Sequence, residues 1–237
     1  MMGIVLYELA GADPNLRFSP HCWKTRMALA HKGLHADRRP WRFMDKSAIA
    51  FSGQGNVPVL VDNGEAIYDS WQIAVHLEQR YPLAPALFPG ERMVDLSHFI
   101  NAWADKALLP VIGRIILLDI YNRLAPQDRS YFRRTREERF GRSLEEVAAE
   151  RPTNLETLRH AIAPLRDILR AQDFVSGQTA AYADYCIFGM FMWSRCTSPV
   201  ELLASNDPVF LWRERLLDAF DGLARAAPSA EHEGESS

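Results

Sequence analysis

The spacing of hydrophobic residues changes along the chain. Ile4-Val5-Leu6-Tyr7-Glu8-Leu9 is a short apolar run of strand length, followed by a loop through Gly11, Asp13, Pro14 and Asn15. Ser19-Pro20 then presents an N-cap residue and a proline at the first helical position. Trp23, Met27 and Ala30 follow at helical spacing until Gly33 supplies a stop. From Arg38 to Phe43 basic and bulky residues alternate as in a half-buried strand, and a polar stretch from Ser47 to Asn56 leads into Val57-Pro58-Val59-Leu60-Val61. Asn63-Gly64 supplies the positive φ angles of a type I′ turn, which predicts antiparallel pairing of Val59-Leu60-Val61 with Glu65-Ala66-Ile67-Tyr68. A helix follows, capped by Asp69 or Ser70, with Ile73, Leu77 and Tyr81 on one face. Tyr81-Pro82 ends it, and Pro82, Pro85 and Pro89 read as a linker. The order is β-α-β-(irregular)-β-β-α.

Beyond about residue 90 the pattern is helical throughout. Pro152-Thr153-Asn154-Leu155-Glu156 reads as a capping box ahead of a stripe of Leu158, Ile162, Leu165 and Leu169, bent by Pro164. Tyr182 to Arg195 is apolar on all sides and reads as a central buried helix. Pro228 to Ser237 is small, polar and acidic, and reads as a disordered tail. The predicted layout is an α/β domain over 1–83, a linker over 84–92, an all-α domain over 93–227 and a tail over 228–237.

Composition narrows the function. The 237 residues carry a net charge of −3 with acids and bases interspersed, which gives no electrostatic reason to expect nucleic acid. Three cysteines in a chain this long are not a disulfide framework, and no early apolar run resembles a secretory signal, so a reduced, cytoplasmic setting is expected. The apolar stretch Leu108 to Leu118 is interrupted by Pro110 and Arg114 and falls short of the roughly 20 residues a membrane span needs. Neither the histidines nor the cysteines show zinc spacing, and His31 and His35 sit astride Gly33, so no metal is expected. The arginine-rich run Arg129 to Arg142 is interrupted or followed by Glu137, Glu138, Glu145 and Glu146 at helical pairing distances, and reads as a solvated helix face.

A small β-α-β-β-β-α domain, a proline linker and an all-helical domain resemble the cytosolic glutathione transferases, with a thioredoxin-like fold in the first domain. The motifs that carry the resemblance are Ser19 to Arg26 at the first helix, Asn56-Val57-Pro58 before the third strand and Asp69-Ser70 at the following helix. Ser19-Pro20-x-x-Trp23-Lys24-Thr25, Asp69-Ser70-Trp71-x-Ile73-Ala74, Pro126-Gln127-Asp128-Arg129 and Leu144-Glu145-Glu146-Val147 look like the serine-type β-aryl etherase group of that superfamily. The resemblance implies glutathione as co-substrate, a small hydrophobic or aromatic electrophile, a homodimer and a part in detoxification or aromatic-compound degradation.

It also implies roles for particular residues. Ser19 would be the catalytic group. A free thiol with a pKa of about 8.5 is only about 3% thiolate at pH 7. A hydroxyl donating to the sulfur at a helix N-terminus lowers that pKa, and a lowering of about two units raises the thiolate fraction roughly 25-fold. By the same resemblance Val57, before a cis Pro58, presents its backbone to glutathione's cysteinyl unit. Asp69 and Ser70 hold the γ-glutamyl end, and Asn56 stands where relatives carry a longer Gln or Lys. Trp23, Trp103, Ile112, Ile116, Tyr121, Phe191 and Trp193 are candidate linings of the electrophile pocket. Tyr7 is the competing catalyst, since other classes use a tyrosine on that strand. Ser19-Pro20-His21-Cys22 also resembles a glutaredoxin Cys-Pro-x-Cys motif with its outer cysteine replaced. Two other functions therefore stay open: a non-catalytic binder of glutathione or aromatic ligands, and a thiol-disulfide oxidoreductase using Cys22. Cys186 and Cys196 read as core residues. Relatives place Ser or Thr three residues before the aspartate that starts the central helix. Here Asp184 is kept and the cap is Ala181, a loss of about 1 kcal/mol.

Overall fold

The computed structural model describes residues 3–230. Strand β1 (Ile4–Leu9) is followed by helix α1 (Pro20–His31) and strand β2 (Ala36–Trp41). A 3-10 turn (Lys46–Ser52), strands β3 (Val59–Asp62) and β4 (Glu65–Tyr68) and helix α2 (Ser70–Arg80) complete the first domain. The sheet order is β2-β1-β3-β4, with β1 parallel to β2 and antiparallel to β3. The β3–β4 hairpin forms as the turn residues predict: Asn63 and Gly64 have φ of 51° and 96°, and Leu60 faces Ile67. This is the thioredoxin-like arrangement.

Two details differ from the sequence pattern. Strand β2 covers 36–41 rather than 38–43, because the chain leaves the sheet after Trp41 to place Phe43 against Tyr131 and Phe132. Pro40 is tolerated in β2 because that strand is a sheet edge. The polar stretch after it holds a 3-10 turn around the buried Ile49, too short to leave a periodic signal.

The remainder is helical: α3 (Met93–Trp103), α4 (Leu109–Ile115), α5 (Leu117–Arg123), α6 (Pro126–Phe140), α7 (Leu144–Ala149), α8 (Arg151–Ala161), α9 (Ala163–Leu169), α10 (Tyr182–Thr197) and α11 (Pro208–Gly222). A π-helical turn, Ala104–Leu108, joins α3 to α4. The capping box expected at Thr153 is absent, because α8 starts two residues earlier and Thr153 lies inside it, its carbonyl accepting from Thr157. The actual box is Ser143 with Glu146 at α7. Leu158, Ile162, Leu165 and Leu169 are all buried, and the helix breaks at Ile162, just before Pro164. Ala230 is buried and its N–H donates to the Arg195 carbonyl, so the start of the expected tail is packed; 231–237 lie outside the described residues.

Helix α10 is buried along nearly its whole length, as its all-round apolarity predicts. Ala181 offers only a methyl at its N-cap, so no hydroxyl completes the reciprocal cap. The carboxylate of Asp184 instead ties the region together, accepting from the backbone N–H of Val175, Ser176 and Ala181 and from the indole of Trp212 at 2.7–3.1 Å.

The two domains meet where α1 lies on α10. A β-carbon on Gly189 would fall 2.4 Å from the Pro20 carbonyl oxygen, so only glycine permits this approach. Fully buried Lys24 reaches from α1 to Asn101 (2.8 Å) and Asp105 (2.7 Å). At the other end of α1, His31 Nε2 faces the Ala86 carbonyl at 3.0 Å and therefore carries the proton, which leaves Nδ1 to accept from the Tyr185 hydroxyl at 2.7 Å. The Tyr182 hydroxyl donates to the Ser70 carbonyl (2.7 Å), pinning the start of α2 as well.

Two stability predictions follow from these contacts. Gly189→Ala should lower the free energy of unfolding by about 2 kcal/mol, even though alanine adds about 1 kcal/mol of helix propensity, because the added carbon must push α1 off α10. Urea unfolding checks this, and an unchanged or higher midpoint contradicts it. Asp184→Ala leaves four donors without their carboxylate and should cost about 3 kcal/mol or more in the same assay.

Candidate functional site

Two cavities flank the N-terminus of α1. The first, about 410 Å³, is lined by His21, Gln54, Asn56, Val57, Pro58, Tyr68, Asp69 and Ser70. The structure thus gathers Asn56, Val57, Pro58, Asp69 and Ser70 around one cleft, although ten residues of chain separate Pro58 from Asp69. The Val57–Pro58 peptide bond is cis. Asp69 caps α2, its carboxylate accepting from the N–H groups of Trp71 (2.9 Å) and Gln72 (3.2 Å), and it holds a φ of 67° that Asp tolerates better than most residues. The N-terminus of this 11-residue helix opens on the cleft and favours an anion there.

Ser19 is the N-cap of α1, its Oγ accepting from the Cys22 N–H at 3.4 Å. Its Oγ also lies near enough to the Cys22 thiol to act against the rise of that thiol's pKa, and no other acceptor is in reach of its O–H among the described residues. Ser19 is nearly buried and is followed directly by Pro20 and His21, which line the second cavity. Tyr7 lies outside both cavities: its ring packs on Phe51 at 5.7 Å and its hydroxyl accepts from Arg39 at 3.5 Å.

The second cavity, about 280 Å³, lies between α1 and the helices α4 to α6, with walls that include Phe18, Phe43, Leu117, Phe140 and Trp193. Of the seven predicted linings only Trp193 is at this wall. Trp23, Ile112, Ile116 and Phe191 are in the core. The Trp23 indole donates to the Arg17 carbonyl at 3.0 Å, and Phe191 meets Trp212 edge-on. Phe191 and Trp193, two residues apart on α10, necessarily point in different directions. Trp103 packs at the edge of the core, and Tyr121 faces Arg129 and Arg133 instead.

His21 lines both cavities, although no sequence motif assigns it a role. Its Nδ1 is 3.8 Å from Asp105, the carboxylate that also holds Lys24. Burial and then the Lys24 ammonium hold its pKa down to about 4, with Asp105 and Asp69 acting in the opposite sense, so the ring is neutral at pH 7. The arginine-rich helix α6 is two-sided. Arg133 pairs with Glu137 at 2.8 Å and Arg134 with Glu138 at 3.6 Å, as the i, i+4 spacing predicts, and Arg133 also reaches Glu145 on α7 at 2.8 Å, whereas Arg136 and Arg139 turn to the second cavity. A helical projection of Phe132, Arg136, Arg139 and Phe140 places them on one face, and that was the available signal.

Cys22 is 1% exposed, and burial pushes its thiol up to about 12. Burial likewise pushes Cys186 up to about 12. Such thiols are protonated and shielded, the reverse of what disulfide exchange needs. No cluster of three metal-binding side chains occurs among the described residues, and no described helix is long and apolar enough to cross a membrane.

Comparison with known proteins agrees with this geometry. Residues 18–80 match the family "Glutathione S-transferase, N-terminal domain" and residues 96–206 match "Glutathione S-transferase, C-terminal domain". The chain is 33% identical over 91 residues to a probable glutathione transferase of Aplysia californica, covering 35% of this chain and 92% of that one. It is 30% identical over 176 residues to a glutathione S-transferase-like protein of Aspergillus flavus, covering 68% of this chain and 58% of that relative's length. Among solved structures, a glutathione S-transferase of Ceriporiopsis subvermispora in complex with glutathione superposes with a TM-score of 0.83 at 26% identity, over 97% of this chain and all of that one. A β-etherase of a Sphingobium strain shares the fold at a TM-score of 0.67 and 18% identity, over 94% of this chain and 99% of that one. The chain belongs to the glutathione S-transferase family.

The burial of the cysteines has a direct readout. In the native protein at pH 8, Cys22, Cys186 and Cys196 should not react with an aromatic disulfide reagent over minutes, and all three should react once guanidinium unfolds the chain. Rapid native labelling of Cys22 would restore the oxidoreductase alternative.

Proposed function

We propose that this chain is a catalytically active glutathione transferase in which Ser19 stabilises the glutathione thiolate for attack on an aromatic electrophile. The observation that carries the reading is the convergence at one place of the α1 N-terminus, the Val57–Pro58 backbone and the α2 N-terminus, with an apolar cavity alongside that shares His21 with the cleft. Glutathione lies in the cleft, its γ-glutamyl carboxylate at the N-terminus of α2 by Ser70 and its ammonium near Asp69. The Val57 backbone, which makes no hydrogen bond of its own among the described residues, pairs with the cysteinyl unit.

In this reading the thiol proton is lost to solvent and the Ser19 O–H turns to donate to the sulfur, while the α1 dipole adds to the stabilisation. The thiolate attacks the electrophilic carbon, a carbon–sulfur bond forms, and the leaving group departs with its electron pair. In β-aryl ether cleavage, the reaction suggested by the serine-type motifs, the bond broken is carbon–oxygen and the leaving group is an aryloxide. Ser19 forms no covalent bond. The protein contributes charge stabilisation and alignment of sulfur with carbon. A cytoplasmic homodimer is part of the same proposal.

Steady-state turnover of glutathione with chlorodinitrobenzene tests it. At pH 7, Ser19→Ala should lower kcat/KM by about 25-fold, and Cys22→Ala and Tyr7→Phe should change it by less than about twofold. The thiolate that Ser19 stabilises is already formed without help above the free thiol's pKa, so the defect should shrink as pH rises past about 8.5. Glutathione binding by calorimetry with no turnover of chlorodinitrobenzene or of aryl ethers would favour the non-catalytic binder. Absence of glutathione binding would overturn both.

A further inference from the structure

The second cavity is not simply greasy. Arg114, Arg136 and Arg139 line it together with Phe43, Phe140 and Trp193, and no acidic residue does. None of these arginines has a carboxylate within 4.0 Å among the described residues, whereas Arg133, Arg134 and Arg142 nearby are all in ion pairs. Glu150, the partner of Arg142, feels Arg114 only at longer range.

The guanidinium groups are held by rings instead. Arg136 lies 4.6 Å from the centre of Phe132 and 5.4 Å from that of Phe43, and Arg114 and Arg139 lie 5.4 and 6.0 Å from Phe140. Each of two groups spends one N–H locally, Arg136 on the Thr135 hydroxyl at 2.9 Å and Arg114 on the Pro110 carbonyl at 3.1 Å, which leaves the rest of each fork available. Burial holds the Arg136 guanidinium below its ordinary pKa, opposed by Tyr131 and reinforced by Arg139. Arg114 and Arg136 are half-buried and Arg139 is exposed; a partly desolvated cation without a counter-ion is costly, and an anion entering the cavity would relieve that cost with charge-assisted, two-pronged hydrogen bonds.

We propose that this cavity selects aromatic electrophiles bearing an anionic group, a carboxylate in the simplest case, with the ring against Phe43, Phe140 and Trp193 and the anion on Arg136, Arg139 and Arg114. The proposal rests on the transferase reading for its chemistry and extends it to the class of second substrate. A chloronitrobenzoate meets the requirement. Its chlorine-bearing ring carbon forms the bond to sulfur, the carbon–chlorine bond breaks, chloride leaves with the electron pair, and the proton of the thiol goes to solvent.

Two measurements keep the proposal separate from its premise. The first is the ratio of kcat/KM for chloronitrobenzoate to that for its carboxamide at saturating glutathione, compared between variants so that intrinsic reactivity cancels. Arg136→Gln should lower this ratio by about tenfold and Arg114→Gln by about threefold, and Arg134→Gln, on the paired face, should leave it unchanged. The second is calorimetric binding of naphthoate and naphthamide, neither of which reacts, to the protein without glutathione. Naphthoate should bind about tenfold more tightly, with a preference that falls with salt and with Arg136→Gln. Loss of glutathione turnover with the naphthoate preference intact would sink the transferase reading and leave the anion site standing. Equal binding of acid and amide, or ratios untouched by Arg136→Gln and Arg114→Gln, would overturn the proposal.

Discussion

The carbonyl of Pro20 rests on the backbone of α10 at Gly189, too close for any β-carbon, and the site depends on that approach. A glycine in the middle of a buried helix costs roughly 1 kcal/mol of helix propensity relative to alanine. In return the first turn of α1, with Ser19 as its cap and His21 on its flank, is fixed against the helical domain. Lys24, one turn further on, repeats the constraint with charge: fully buried, it is tethered to Asn101 on α3 and to Asp105 on the π-helical turn. With Tyr182 holding the Ser70 carbonyl, both helix N-termini that face the cleft are anchored to α10 or its surroundings.

That anchoring gives the two cavities a common wall. The cleft side is polar backbone and helix ends, suited to a zwitterionic peptide, and the other side is aromatic rings interleaved with guanidinium groups. His21 stands between them, held neutral by burial and by Lys24. On the proposed function, a thiolate is stabilised on the cleft side and a ring is held on the other. A transferase needs those two places adjacent, because its rate comes from alignment and charge stabilisation rather than from a covalent enzyme intermediate.

Much of this was legible in the sequence, and the limits have physical causes. The β3–β4 hairpin followed from Asn63-Gly64, whose backbone requirement is local, and the α1 and α2 caps followed from Ser19-Pro20 and Asp69 for the same reason. The shift of β2 was not legible, because Phe43 leaves the sheet for partners on α6 that are about 90 residues away in sequence. The cap assigned to Thr153 failed because α8 begins at Arg151, directly after the box-capped α7, and a local pattern cannot say which of two neighbouring starts is used. Glutathione-site candidates clustered well because a helix cap and a cis-proline loop carry motif signals. Pocket candidates did not, because a buried aromatic and a cavity-lining aromatic look alike in one dimension. Phe191 and Trp193 differ only in which way α10 turns them.

The proposed catalysis turns on the α1 N-terminus, through Ser19, holding the glutathione sulfur as a thiolate. An ultraviolet thiolate titration of glutathione bound to the wild type and to Ser19→Ala, with binding verified on the same samples, addresses it most directly. The bound thiol should have a pKa lower than the free value of about 8.5 by about one unit or more in the wild type, and close to that value in the variant. Glutathione bound with an unshifted thiol, or shifted equally in both proteins, would contradict it.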